Sequence, residues 1–96
     1  MLKIKIEKSF KKDIEKAKKS GKYSNEDFEL LKSIIEDLEN EREIHLKYKR
    51  HFLKGDMKGY EVIHLKPDWL LVFKIDNEYL HLVMLGKHTQ VYKKFK

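Results

Sequence analysis

The chain has 96 residues, 40% of them charged and 41% hydrophobic. That is apolar material for one core, so one domain spanning 1–96 is expected. The net charge of +6 suggests a polyanionic partner or an acidic protein covering a basic face, without choosing among nucleic acid, membrane surface and protein. Cysteine is absent, which excludes disulfides and thiolate metal sites. No apolar run approaches the roughly 20 residues that span a membrane, and the alternating charge of MLKIKIEKSF is unlike a signal peptide. The expectation is a soluble, cytoplasmic chain with no membrane partner.

Leu2, Ile4 and Ile6 alternate with Lys3 and Lys5, the period of a half-buried strand over 2–6. Phe10, Ile14 and Ala17 then recur at helical spacing, predicting an amphipathic helix over 9–19 that ends at Gly21. Ser24 with Asp27 forms a capping pattern, and Phe28, Leu31, Ile34, Ile35 and Leu38 make the apolar stripe of a second helix over 25–39. The short connection between them predicts a helical hairpin. Residues 40–58 have no clean period and read as a long loop holding at most one short helical turn; such loops are often functional. Three strand-like runs follow, Gly59 to Leu65, Trp69 to Ile75 and Tyr79 to Leu85, punctuated by Pro67-Asp68 and by a tight turn at Asp76-Asn77. The tail HTQVYKKFK is short and basic, and its last residues, Lys93 to Lys96, read as an RNA contact or a disordered end. The fold class is α+β: an N-terminal strand, a helical hairpin, then a three-stranded antiparallel meander that the first strand joins, with the helices on one face. Ten lysines fall in the first forty residues among interleaved acids, the composition of a solvated helix face.

Of five histidines, four lie from position 51 onward: His51, His64, His81 and His88. His64 closes the first meander strand, Asp68 sits in the following turn, and His88 follows the last strand. A meander can bring these three to one edge, with the loop carrying His51 over them. Scattered surface residues are the alternative. No HxH or HxxxH pair occurs on these strands, so neither a metal site nor a cofactor is expected. A ribonuclease that uses the 2′-hydroxyl of RNA needs a base, an acid and a cation. Histidine suits the proton-transfer roles because its ordinary pKa lies near working pH, and lysine suits charge stabilisation. The residue set permits such an enzyme without requiring it.

Three stretches carry a resemblance. His51-Phe52-Leu53-Lys54-Gly55 resembles the H-x-L-x-G loop of the YafQ branch of the RelE/ParE toxin superfamily. Lys58-Gly59-Tyr60 followed by His64-Leu65-Lys66-Pro67-Asp68-Trp69 resembles its K-G-Y…H-x-x-P-D-W strand pair, and Gly86-Lys87-His88 its G-x-H element. The N-terminal half is similar in pattern only. The resemblance implies a RelE-like, microbial ribonuclease-like fold. It also implies a type II toxin that cleaves mRNA in the ribosomal A site, with 16S rRNA contacts, and that a cognate acidic antitoxin silences. His51, His64, Asp68, Trp69 and His88 fall on the family's active-site positions. The resemblance assigns His88 as acid or transition-state stabiliser, Asp68 or His64 as base or orienting group, and His51 as a phosphate contact. Lys54 and Lys66 are candidate phosphate contacts. Trp69 is either a core anchor or an mRNA contact. The family's final phenylalanine is replaced by Tyr92, which keeps a ring for stacking. His45 and His81 match no motif. Two rival readings remain, a ParE-like toxin that binds gyrase and cuts nothing, and a non-catalytic RNA-binding domain. The histidine set weighs against the first; the lack of spare strand aromatics weighs against the second.

Overall fold

The computed structural model describes residues 1–54 and 59–94. The elements run β1 (Lys3–Ile6), α1 (Lys8–Ser20), α2 (Asn25–Glu39), a 3₁₀ turn (Leu46–Tyr48), β2 (His51–Phe52), β3 (Tyr60–Lys66), β4 (Trp69–Asp76), β5 (Tyr79–Gly86) and α3 (His88–Lys94). They build one mixed sheet in the order β1-β5-β4-β3-β2. β1 lies parallel to β5, and the other neighbours are antiparallel. The expected strand, helix pair and meander are all present.

Local chemistry explains the boundaries. Gly21 ends α1 in the left-handed region, at φ 71°. Ser24 caps α2 through a complete capping box: its Oγ accepts from the Asp27 amide, and the Asp27 carboxylate accepts from the Ser24 amide. Two-residue turns join β3 to β4, where Lys66 pairs with Trp69, and β4 to β5, where Asp76 pairs with Tyr79. Asn77 adopts a positive φ of 55° in the second turn, which its short polar side chain tolerates.

β4 is buried on both faces. Trp69, Leu71 and Phe73 join the cluster under α1 and α2 with Phe10, Leu31, Ile34 and Leu38. Leu70 and Val72 face the opposite side, with Val62, Met84, Leu53 and Val91. That second cluster holds a difference from expectation. The tail is not an irregular end as far as Lys94: it forms α3, which seats a fully buried Val91 on the face away from the two long helices. The helices therefore cover both faces, not one.

On the side away from β4, the outer half of β5 has no strand beside it, because β1 pairs only with Tyr79 to Leu82. Side chains of α1 take over there. Ser9 Oγ donates to the Val83 carbonyl, and the Leu85 amide donates to Asp13 Oδ2 at 2.9 Å. Val83 is the extra residue of a bulge, since Phe73 pairs with Leu82 while Val72 pairs with Met84. β1 alternates as expected, but its apolar side is only partly covered. Ile4 is 37% and Ile6 48% exposed, and both border an open apolar groove of about 400 Å³ with Phe10, Phe28, Leu31 and Ile35.

Residues 45–52 of the expected loop hold a short helical turn and a short strand. His45 Nδ1 accepts from the Lys47 amide at the start of the 3₁₀ turn. Arg50 then makes a two-pronged ion pair with Glu61, Nε–Oε1 at 2.7 Å and a second N–H donating to Oε2 at 3.2 Å. Glu61 is 6% exposed, so this partner meets its hydrogen-bonding needs. The pair fixes the backbone that enters β2 and hence the height of His51 over β3. Gly55 and Lys58, which close and open two of the matched motifs, lie outside the described residues.

Trp69 stacks on Tyr23 at 4.2 Å between ring centroids and meets Phe28 edge-on at 5.7 Å. Trp69→Ala should cost about 3–5 kcal/mol, the usual loss for a large buried aromatic. Urea denaturation of the two proteins measures it.

Candidate functional site

The face opposite the long helices carries the histidines. Val62 and His64 are alternate residues of β3, so His64 shares a face with Val62. His51 lies opposite Val62 in the β2–β3 ladder. His88 begins α3 on the same side. The rings meet: His64 lies 5.5 Å from His51 and 5.1 Å from His88, centroid to centroid. One helical turn on, Tyr92 stacks on His88 at 5.9 Å and is 40% exposed. His81 stands apart beside Tyr79, and His45 beside Tyr48.

Two of the three rings have a fixed tautomer. Asp68 Oδ1 lies 2.9 Å from His88 Nδ1 and also accepts the His88 backbone N–H at 2.9 Å. The first and largest influence on Asp68 is that backbone N–H, followed by the His88 ring. Both hold its carboxyl below the usual range, and the charges of His88 and Lys87 act the same way against a small opposing effect of burial. Asp68 is thus ionised at neutral pH and can only accept, so His88 Nδ1 carries a proton and Nε2 is the exchanging nitrogen. His51 Nδ1 lies 2.7 Å from the Lys49 carbonyl. A carbonyl also only accepts, so Nδ1 of His51 is protonated too and its Nε2 is left to the site. His64 sits between them. Partial burial is the main cause that lowers its pKa, and the neighbouring His88, His51 and Lys49 add to it. The lowered pKa favours a neutral His64 at neutral pH, with a lone pair that can take a proton.

Beside the histidines opens a cleft of about 650 Å³. Lys47, Tyr48, Lys49, Lys66, Pro67 and Leu30 line it with His64 and His88. The sequence motifs overlooked Lys47, Lys49 and Arg50, although the basic run just before His51 was a visible signal. Among the described residues no group of three or more His, Cys, Asp or Glu side chains is disposed to hold a metal ion.

The other expected contacts divide. Trp69 is 2% exposed inside the aromatic cluster. Of its two readings, this burial and the stack on Tyr23 favour the core anchor over an mRNA contact. Lys66 borders the cleft, but its Nζ is 3.2 Å from Asp27 Oδ2, so a phosphate must share it with that carboxylate. Lys54 is exposed next to the buried Leu53.

A family model described as a bacterial toxin of type II toxin-antitoxin system, YafQ, matches residues 2–93. The mRNA interferase toxin YafQ of Escherichia coli (strain K12) is 32% identical over 83 residues, or 86% of this chain and 87% of its own. Among solved structures, the E. coli DinJ-YafQ complex aligns with a TM-score of 0.84 at 30% identity, over 96% of this chain and 99% of the other. A metal-bound toxin from Helicobacter pylori aligns with a TM-score of 0.84 at 39% identity, over 95% and 99%. Fold and sequence together define a toxin of a type II toxin–antitoxin system. The chain belongs to the YafQ family of these toxins.

The His64 environment makes a direct prediction. In an NMR titration its ring should reach its midpoint below the ordinary histidine value of about 6.5. Because the folded-state value is the lower one, the unfolded chain binds the proton more readily. The His64 contribution to stability is therefore intact above about pH 6.5 and falls as pH drops through the folded-state midpoint. A midpoint at or above 6.5 would count against the buried, cation-flanked setting described for this ring.

Proposed function

We propose that this toxin is a metal-independent endoribonuclease that cuts mRNA in the A site of the ribosome, in the cytoplasm, and so stops translation. The observation that carries the reading is the pairing of a neutral His64 with a His88 whose tautomer Asp68 fixes, their rings 5.1 Å apart. His64 takes the proton of the 2′-hydroxyl, and that oxygen attacks the adjacent phosphorus. The bond from phosphorus to the 5′-oxygen breaks, and protonated His88 delivers a proton to that oxygen through Nε2. The products are a 2′,3′-cyclic phosphate and a 5′-hydroxyl. His51, in its imidazolium form, contacts the phosphate by donating from Nε2, and Lys49 with Lys47 supplies positive charge as the transition state forms. Tyr92 offers a half-exposed ring for stacking.

The ribosome supports this chemistry by positioning. The rings lie along an open cleft, which holds an RNA strand weakly by itself. Correct orientation contributes about 7–11 kcal/mol to such a reaction. A strand held by the ribosome, through contacts that include 16S rRNA and this basic surface, meets that need.

An antitoxin is the second partner. The family pairs toxins with antitoxins, and a relative is known in a complex with DinJ. An acidic antitoxin complements the +6 charge of this chain.

His88→Ala should lower A-site cleavage by about two to four orders of magnitude, the usual contribution of one acid–base group, with folding and antitoxin binding retained. His45→Ala should cleave close to the wild-type rate, because that ring only caps the 3₁₀ turn. Mapping mRNA ends after brief induction reads both; equal loss in two folded variants would refute the site. Co-expression of the product of a neighbouring acidic gene should rescue growth, and the failure of every neighbouring product to do so would remove the antitoxin from this account.

A further inference from the structure

A second, smaller hollow lies next to the histidine cleft. Consecutive residues divide between the two: Pro67 and His88 line the cleft, whereas Trp69 and Lys87 line a cavity of about 130 Å³. Asp68 sits between them. The cavity wall brings together Lys16 from α1, Lys22 from the loop after it, and Lys87 from the junction of β5 with α3. Lys16 and Lys22 are near neighbours in the chain, and folding brings Lys87 to them from the other end of it. None of the three takes part in a salt bridge among the described residues. The one acid in the wall, Asp13, is already engaged by the Leu85 amide.

The wall also holds a neutral donor. Gln90 Oε1 accepts from the Lys87 amide at 2.9 Å, so its Nε2 hydrogens remain for another acceptor. Gly86 allows this fold-back, because a Cβ there would stand 2.7 Å from Gln90 Oε1. The floor is stiff, built on the stacked Tyr23 and Trp69. The hollow has about a fifth of the cleft's volume, about 130 Å³ against about 650 Å³, and so offers room for a phosphate group.

We propose that this cavity is a phosphate subsite: Lys16, Lys22, Lys87 and Gln90 hold a phosphodiester next to the one being cut, on the same RNA strand. The inference rests on the ribonuclease reading above and adds a second anchoring point to it. The two anchors fix the strand across Asp68, so the scissile group lies along the cleft at His64 and His88.

The test uses ribosomes programmed with mRNA, wild-type toxin, and the variants Lys16→Ala/Lys22→Ala and Lys16→Arg/Lys22→Arg. Both lysines are exposed, and circular dichroism checks that the variants fold. The alanine pair should raise KM roughly tenfold, about the loss of one charge-assisted contact, with kcat little changed. The arginine pair should stay near wild type. The dependence of log(kcat/KM) on log[KCl] should become shallower by about 0.7, as for one single-strand phosphate released. Neutral methylphosphonates are then placed one at a time around the cut. At one flanking position the substitution should penalise wild type and be nearly silent in the alanine pair, a non-additive cycle that locates the contact. An unchanged KM in the alanine pair would overturn the subsite. So would methylphosphonate penalties that add at every position, which would move these lysines to rRNA. If wild-type toxin leaves the mRNA uncut, the ribonuclease reading falls and the subsite with it.

Discussion

One carboxylate oxygen, Oδ1 of Asp68, accepts both the backbone N–H and the ring Nδ1–H of His88. Through it a two-residue turn of the sheet holds the first residue of a helix. The turn is rigid because Lys66 and Trp69 pair across it and Trp69 is locked among aromatics. The helix is anchored at its other side by Val91, which is fully buried. Asp68 itself is more than half exposed, at 58% for its side chain, so solvent competes with the bond. Its persistence comes from two donors on one residue whose position is set elsewhere. The site thus borrows rigidity from the core rather than from its own burial.

Much of this was legible in the residues. The run from Trp69 to Ile75 marked a strand, and Ser24 with Asp27 marked the start of α2. The meander allowed the approach of His64, Asp68 and His88 without requiring it. What stayed hidden depended on contacts distant in sequence. β2 has two residues, too few for a period, and exists because Tyr60 to Val62 fall beside it. α3 shows one buried apolar residue in seven; a helix so short is held by tertiary packing, not by propensity. In β5, strict alternation would set Leu82 and Met84 on one face, and the bulge at Val83 sends them to opposite faces. The tautomers of His51 and His88 depend on which acceptor each ring meets, and no spacing rule reports that.

The basic character of the chain is shaped by how its acids are used. Asp13 is spent on a β5 amide, Asp27 on a helix cap and Lys66, and Glu61 on Arg50. Each satisfies a polar group that folding would otherwise strand. These three carboxylates are therefore structural, while Lys47 and Lys49 line the cleft and Lys16, Lys22 and Lys87 line the cavity.

The parallel pairing of β1 with β5 bears on when the histidine cluster of a newly made copy is complete. Ser9 of α1 and Val83, which meet just beyond that seam, lie 74 positions apart. Contacts this distant form late, because the intervening chain must first be gathered. During synthesis, the first strand and both long helices emerge with no β5 to close against. His64 and Asp68 also emerge before His88 exists to join them. The cluster of His64, Asp68 and His88 is consequently incomplete at every nascent length short of the helix that carries His88.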